Sequence, residues 1–173
     1  MESPRNRTGF VMERPPLETS AQNSLQAKHQ IGSIRVLVVD DYEPWRRFIR
    51  LALLAHNKLQ VIGEVSDGLE AVEKAQQLQP DLILLDIGLP TLNGIEAAHR
   101  IREVSPTSKI LFVSENRSHE IAQEALRNGA GGYIVKSDVS HALLPGIRAI
   151  LEGKRFISPN FASQRPAPFG LAR

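Results

Sequence analysis

The chain of 173 residues contains no cysteine, which excludes disulfides and thiolate metal sites and suits a reducing compartment. Aromatic residues are scarce, at 5%, with a single Trp. No apolar run approaches the roughly 20 residues that a membrane span requires. The opening MESPRNRTGFVMERPPLETS holds no apolar core of the kind a secretion leader needs. These absences together imply a cytoplasmic protein with no membrane partner. Strong charge of one sign is missing too, the formal net charge being +2. Residues 34–152 hold 13 Lys/Arg against 16 Asp/Glu, whereas residues 153–173 hold four Lys/Arg and no acid. Four cations scattered among Pro, Ser and Gly fit a solvated end better than a nucleic-acid surface.

Residues 1–33 are rich in Pro, Ser, Asn, Gln and Arg without apolar periodicity, and read as a disordered extension. Met12 offers an alternative start within it. From Ile34 the pattern alternates between strand and helix signals. IRVLVV (34–39) fits a buried strand. EPWRRFIRLALLAH follows, with Trp45, Phe48, Ile49, Ala52 and Ala55 on one helical stripe and Pro44 suited to a first turn. LQVIGEV (59–65) predicts a second strand, Asp67-Gly68 a turn, and Leu69, Val72, Ala75 and Leu78 the apolar face of a second helix. DLILLD predicts the third strand, followed by a loop with Pro90 and an Asn93-Gly94 turn signal. Ile95, Ala98 and Ile101 mark a third helix and KILFVS (109–114) a fourth strand. A fourth helix carries Ile121, Ala122, Ala125 and Leu126 and stops at Asn128-Gly129. GYIVK (132–136) gives a fifth strand, and Leu143, Ile147, Ile150 and Leu151 line a last helix. Pro145 should kink that helix or lie in its first turns.

Five strand–helix units in alternation argue for an α/β domain, a parallel sheet with helices on both faces. Such sheets place ligands at the carboxyl ends of their strands. Four of those ends carry polar groups out of apolar runs: Asp40 and Asp41, Asp86, Ser114 and Lys136. Each alone has an ordinary explanation as a cap, a turn former or a solvated terminus. Placed on four parallel strands, they should converge. Three crowded carboxylates repel unless a cation joins them, and Mg²⁺ is the natural hard ion for oxygen ligands. Lys136 and Ser114 would supply a positive charge and a hydroxyl donor, which suits a phosphoryl group.

The motifs VLVVDD, SDGLEA, PDLILLDIGLPTLNGIE, ILFVS and GAGGYIVKS resemble the receiver domain of bacterial two-component response regulators over residues 34–158. The ending LLPGIRAILEGKRFISP resembles receivers of the LuxR/NarL type. The resemblance implies a flavodoxin-like (βα)5 fold, a doubly wound five-stranded parallel sheet of order 2-1-3-4-5. It implies that Asp86 is the phosphoacceptor, taking a phosphoryl group from a sensor histidine kinase or a phosphotransfer protein. Asp40, Asp41, Asp86 and the backbone carbonyl of Gly88 would serve Mg²⁺, Asp40 through a metal-bound water. Ser114 matches the switch hydroxyl, Lys136 the lysine that pairs with the phosphoryl, and Tyr133 the switch aromatic that turns inward. The alternative for Tyr133 is an ordinary half-buried strand aromatic. The family's activity is self-catalysed phosphotransfer and dephosphorylation, coupled to binding of a downstream protein or to a phosphorylation-dependent homodimer.

This sequence departs from the family pattern in three places. Glu115 follows Ser114 where the family usually has a small residue, so it either modulates access to the site or faces solvent. Ser137 follows Lys136 in place of a common Pro, so no cis bond is expected there. Residues 159–173 read as a disordered, Pro-rich tail, too short for a helix-turn-helix, so a single-domain receiver without direct DNA binding is expected. Two other classes compete. A phospho-independent adaptor would keep the fold and leave the pocket unused. A haloacid-dehalogenase-type phosphatase would need Asp-x-Asp on the first strand, where VVDDYE has adjacent acids.

Overall fold

The computed structural model describes residues 32–162. The expectations placed on residues 1–31 and 163–173 lie outside the described residues. Strand β1 (Ile34–Val39) is followed by α1 (Glu43–Leu54), β2 (Leu59–Val65), α2 (Gly68–Leu78), β3 (Leu82–Leu85) and α3 (Gly94–Val104). Then come β4 (Lys109–Ser114), α4 (His119–Arg127), β5 (Gly132–Val135), a 3₁₀ turn (Lys136–Asp138) and α5 (Val139–Leu151). All strand pairs are parallel. The sheet order is 2-1-3-4-5, as expected, with a sixth strand added at the edge: β6 (Phe156–Ile157) lies beside β5. A short helix, α6 (Pro159–Ala162), follows it and buries Phe161. Ordered chain therefore continues past Ser158, where the sequence suggested a disordered tail. No described helix is long and apolar enough to cross a membrane.

The central strands β1, β3, β4 and β5 are apolar over most of their length because both faces are covered, which removes the in–out alternation of a half-exposed sheet. Leu37, Val39, Ile83, Leu85, Phe112, Tyr133 and Val135 point to one face, under the small residues of α2, α3 and α4 (Ala71, Ala75, Ala98, Ala122, Ala125). Val36, Val38, Leu82, Leu84, Leu111, Val113 and Ile134 point to the other, under α1 and α5. Helix α1 buries Ile49 and Leu53, with Trp45 and Ala52 packed at the margin. Phe48 and Ala55, placed on the inward stripe from sequence, are exposed, and Leu69 of α2 is exposed as well. Pro145 sits inside α5, and the helix runs through it.

Both predicted Asx-Gly turns are helix starts. The Asp67 carboxylate accepts from the N–H groups of Leu69 and Glu70, and the Asn93 side chain accepts from those of Ile95 and Glu96, capping α2 and α3. The glycines are required by close approach. A Cβ on Gly68 would lie 1.8 Å from the Leu92 carbonyl oxygen, and one on Gly94 would lie 1.9 Å from that of Asp86. The start of α3 is thereby pressed against the backbone that carries Asp86. Gly129, at φ +85°, ends α4 in the left-handed conformation anticipated from the sequence.

Candidate functional site

The carboxyl ends of β1, β3, β4 and β5 meet in a cleft of about 560 Å³ lined by Asp41, Tyr42, Asp86, Gly88, Ser114, Glu115, Asn116 and Lys136, among others. Single carboxylate oxygens of Asp40, Asp41 and Asp86 all lie within 4.8 Å of one another. Asp40 and Asp86 are buried, at 2% and 6% exposure, and Asp41 is open to solvent. This acidic triad is of the type with which receivers hold Mg²⁺.

Each buried acid is oriented by the backbone. Asp40 Oδ1 accepts from the Tyr42 N–H at 3.0 Å, and Asp86 Oδ1 accepts from the N–H groups of Ile87 and Gly88 at 2.6 and 3.3 Å. The other oxygen of each faces Lys136, whose ammonium donates to Asp40 Oδ2 at 2.6 Å and to Asp86 Oδ2 at 2.8 Å. Burial works to lower the pKa of Lys136, but the hydrogen bonds and negative charge of Asp40 and Asp86 outweigh it, leaving the ammonium above its ordinary range. For Asp40 burial dominates, pushing its carboxyl upward against the opposing hydrogen bond and charge of Lys136. Three carboxylates against one ammonium leave two negative charges when all are ionised, and a divalent cation matches that surplus.

Ser114 is buried at the end of β4, where its Oγ accepts weakly from the Asn116 N–H at 3.4 Å. Tyr133 is fully buried, not half-buried, and its hydroxyl donates to the Asn116 carbonyl at 2.8 Å. Burial pushes its phenol up to about 12, the nearby Ser114 hydroxyl opposing and the Asp86 charge reinforcing the shift. Glu115 is exposed on the cleft wall, so it both lines the cleft and faces solvent. The backbone of Gly88 lines the cleft too.

Three further residues of the site carry no signal in the sequence. Arg46 Nη1 donates to the Asp40 carbonyl at 2.6 Å, fixing the turn into α1. Asn116 joins the hydroxyls of Ser114 and Tyr133 through its backbone, a role no side-chain motif could reveal. Trp45 places its ring against Lys136, with the ring centroid 5.2 Å from Nζ. Its i+4 spacing to Ile49 made it look like core alone.

A family model described as the response regulator receiver domain matches residues 36–147. Among curated proteins, the chain is 35% identical over 131 residues to the response regulator GacA of Pseudomonas viridiflava, covering 76% of this chain and 61% of the relative. The chain thus spans about three fifths of the length of the GacA relatives it matches. A LuxR-family two-component response regulator from Aurantimonas sp. SI85-9A1 superposes with a TM-score of 0.73 at 32% identity, over 76% of this chain and 94% of that one. The response regulator domain of Thermotoga maritima CheB gives a TM-score of 0.65 at 38% identity, over 69% of this chain and 97% of that one.

Proposed function

Since the chain belongs to the response regulator receiver family, we propose that it works as a phosphorylated receiver with Asp86 as phosphoacceptor. The donor is a phosphohistidine on a sensor histidine kinase or a phosphotransfer protein. An Asp86 oxygen forms the bond to phosphorus as the bond from phosphorus to the imidazole nitrogen breaks, and the imidazole leaves. The observation that carries this reading is the Lys136 bridge between Asp40 and Asp86 at the cleft. It holds one cation where the transferred phosphoryl's negative charge would gather. Asp40, Asp41, Asp86 and the Gly88 carbonyl would hold Mg²⁺, with Asp40 acting through water. When bound, that ion supplies positive charge to the phosphoryl oxygens.

Phosphorylation at Asp86 adds acceptor oxygens beside Ser114 and Lys136 and draws both donors toward it. Ser114 lies beside the Tyr133 hydroxyl, so its movement biases the face formed by α4, β5 and α5 between two arrangements. The output is a change in protein binding, to a downstream partner or to a second copy. Glu115 narrows access to the site. The domain performs self-catalysed phosphotransfer and dephosphorylation and is otherwise no enzyme.

The test is incubation with Mg²⁺ and acetyl phosphate, wild type beside Asp86→Asn, read by intact mass. The wild type should gain one phosphoryl mass and the variant none. An adduct that persists in Asp86→Asn would sink the assignment. Absence from both would favour a phospho-independent adaptor.

A further inference from the structure

We propose that Trp45 is a positioning residue for Lys136, an inference that rests on the assignment of Lys136 to the phosphorylation site. The ammonium offers three N–H bonds. Asp40 takes one and Asp86 another, at 2.6 and 2.8 Å. The indole of Trp45 covers a further side, its centroid 5.2 Å from Nζ. That distance is within the range of a cation–π attraction, and Trp is the strongest partner for one. The Lys136 side chain is only 10% exposed, so water competes poorly for the ammonium and the attraction falls toward its desolvated limit.

The ring is itself held in place. Pro44 opens the first turn of α1, and Phe48 packs on Trp45 with centroids 5.2 Å apart. A second cavity of about 440 Å³, lined by Trp45, Glu115, Arg117, Val135, Lys136 and Ser137, adjoins the acidic cleft. Trp45 and Lys136 stand together on its wall. Without the ring, the lysine gains room on that side, away from Asp86. With the ring, the ammonium is held between the indole and the carboxylates, and a phosphoryl on Asp86 draws it toward the acidic cleft. Trp45 thereby keeps Lys136 aligned for transfer.

Packing alone would also place Trp45 at the edge of the core under α1, so the test needs a signal that packing does not move. Trp45 is the chain's single Trp, and its emission reports the charge beside it. In the full-length chain without donor, Lys136→Met should alter the emission of Trp45. Adding Mg²⁺ and acetyl phosphate should shift wild-type emission and leave that of Lys136→Met unshifted. In kinetics with acetyl phosphate, Trp45→Leu should slow phosphorylation roughly five- to tenfold, and Trp45→Phe should recover most of that loss, since a Phe face retains a weaker attraction. Circular dichroism establishes that both variants are folded. Identical emission from wild type and Lys136→Met overturns the proposal, as does a wild-type rate in Trp45→Leu. A folded Trp45→Phe as slow as Trp45→Leu assigns the effect to volume and overturns it too. Failure of the phosphoacceptor assignment looks different: no adduct on the wild type, with the emission difference intact.

Discussion

An ammonium wedged between two buried carboxylates governs the cleft, and Tyr133 beside it shows how strongly burial weighs here. Its phenol ionises near 12 in the folded chain against 10.0 for an unperturbed tyrosine. The unfolded chain thus releases this proton first as pH rises. The stability associated with the buried neutral phenol is fully present below about pH 10 and is lost as pH climbs through about 12. The loss amounts to about 2–3 kcal/mol. Urea unfolding at about pH 9 and about pH 11.5 should show most of that loss in wild type and much less in Tyr133→Phe; equal losses would refute the assignment. For Glu115 the proposed effect is on rate instead. It is exposed on the cleft wall, where its negative charge repels an incoming acyl phosphate and its bulk hinders the approach of water to a phosphoryl. Glu115→Ala should therefore speed phosphorylation by acetyl phosphate and dephosphorylation together, each by a few-fold. Unchanged rates would leave Glu115 as ordinary solvated surface.

At the scale of elements, legibility depended on whether a signal was local. The apolar runs of β1, β3, β4 and β5 are buried on both faces, so composition alone exposed them. The polar strand ends were legible for the same reason: in a parallel sheet, chain direction already says which ends converge. Asp67-Gly68 and Asn93-Gly94 were misread because turn and N-cap use the same residues. What separates them is the approach of Leu92 and of Asp86 to the glycines, a tertiary fact. Phe48 and Leu69 looked buried because helical spacing defines a stripe and leaves its edges free. The edge strand β6 has two residues, too few for any periodicity. Yet this edge carries weight. Ser158 is fully buried, with its N–H donating to the Tyr133 carbonyl at 3.0 Å. Phe161 is buried against Tyr133 and His119, with ring centroids at 5.4 and 4.5 Å. Phe161→Ala should cost about 3 kcal/mol by urea unfolding. It should also lower the Tyr133 phenol from about 12 by admitting water, which absorbance titration in a Tyr42→Phe background can follow. A loss under about 0.5 kcal/mol would show that the segment does not pack as described.

Over the whole molecule, the sheet that stabilises the fold also forces a conflict at the carboxyl ends of its strands. Parallel strands bring Asp40, Asp41 and Asp86 together whether or not a cation is present, and Lys136 reaches only Asp40 and Asp86. Asp41 is left as the acid whose charge no described ion pair offsets. Without a divalent ion it adds repulsion, so Asp41→Asn in the presence of a chelator should match or exceed the wild type in stability. With Mg²⁺ the order should reverse. An ion that binds only the folded chain stabilises it by mass action, by about 2.7 kcal/mol at a hundredfold excess over Kd. The wild type should show this gain and the variant little of it, so the two curves of stability against Mg²⁺ should cross. Thermal unfolding across a Mg²⁺ titration measures both lines. A variant less stable than wild type in chelator would mean that Asp41 supports the fold and is not in conflict with it. A variant keeping the full Mg²⁺ gain would remove Asp41 from the cation site. The crossing itself would show that this end of the sheet gives up stability for the sake of binding.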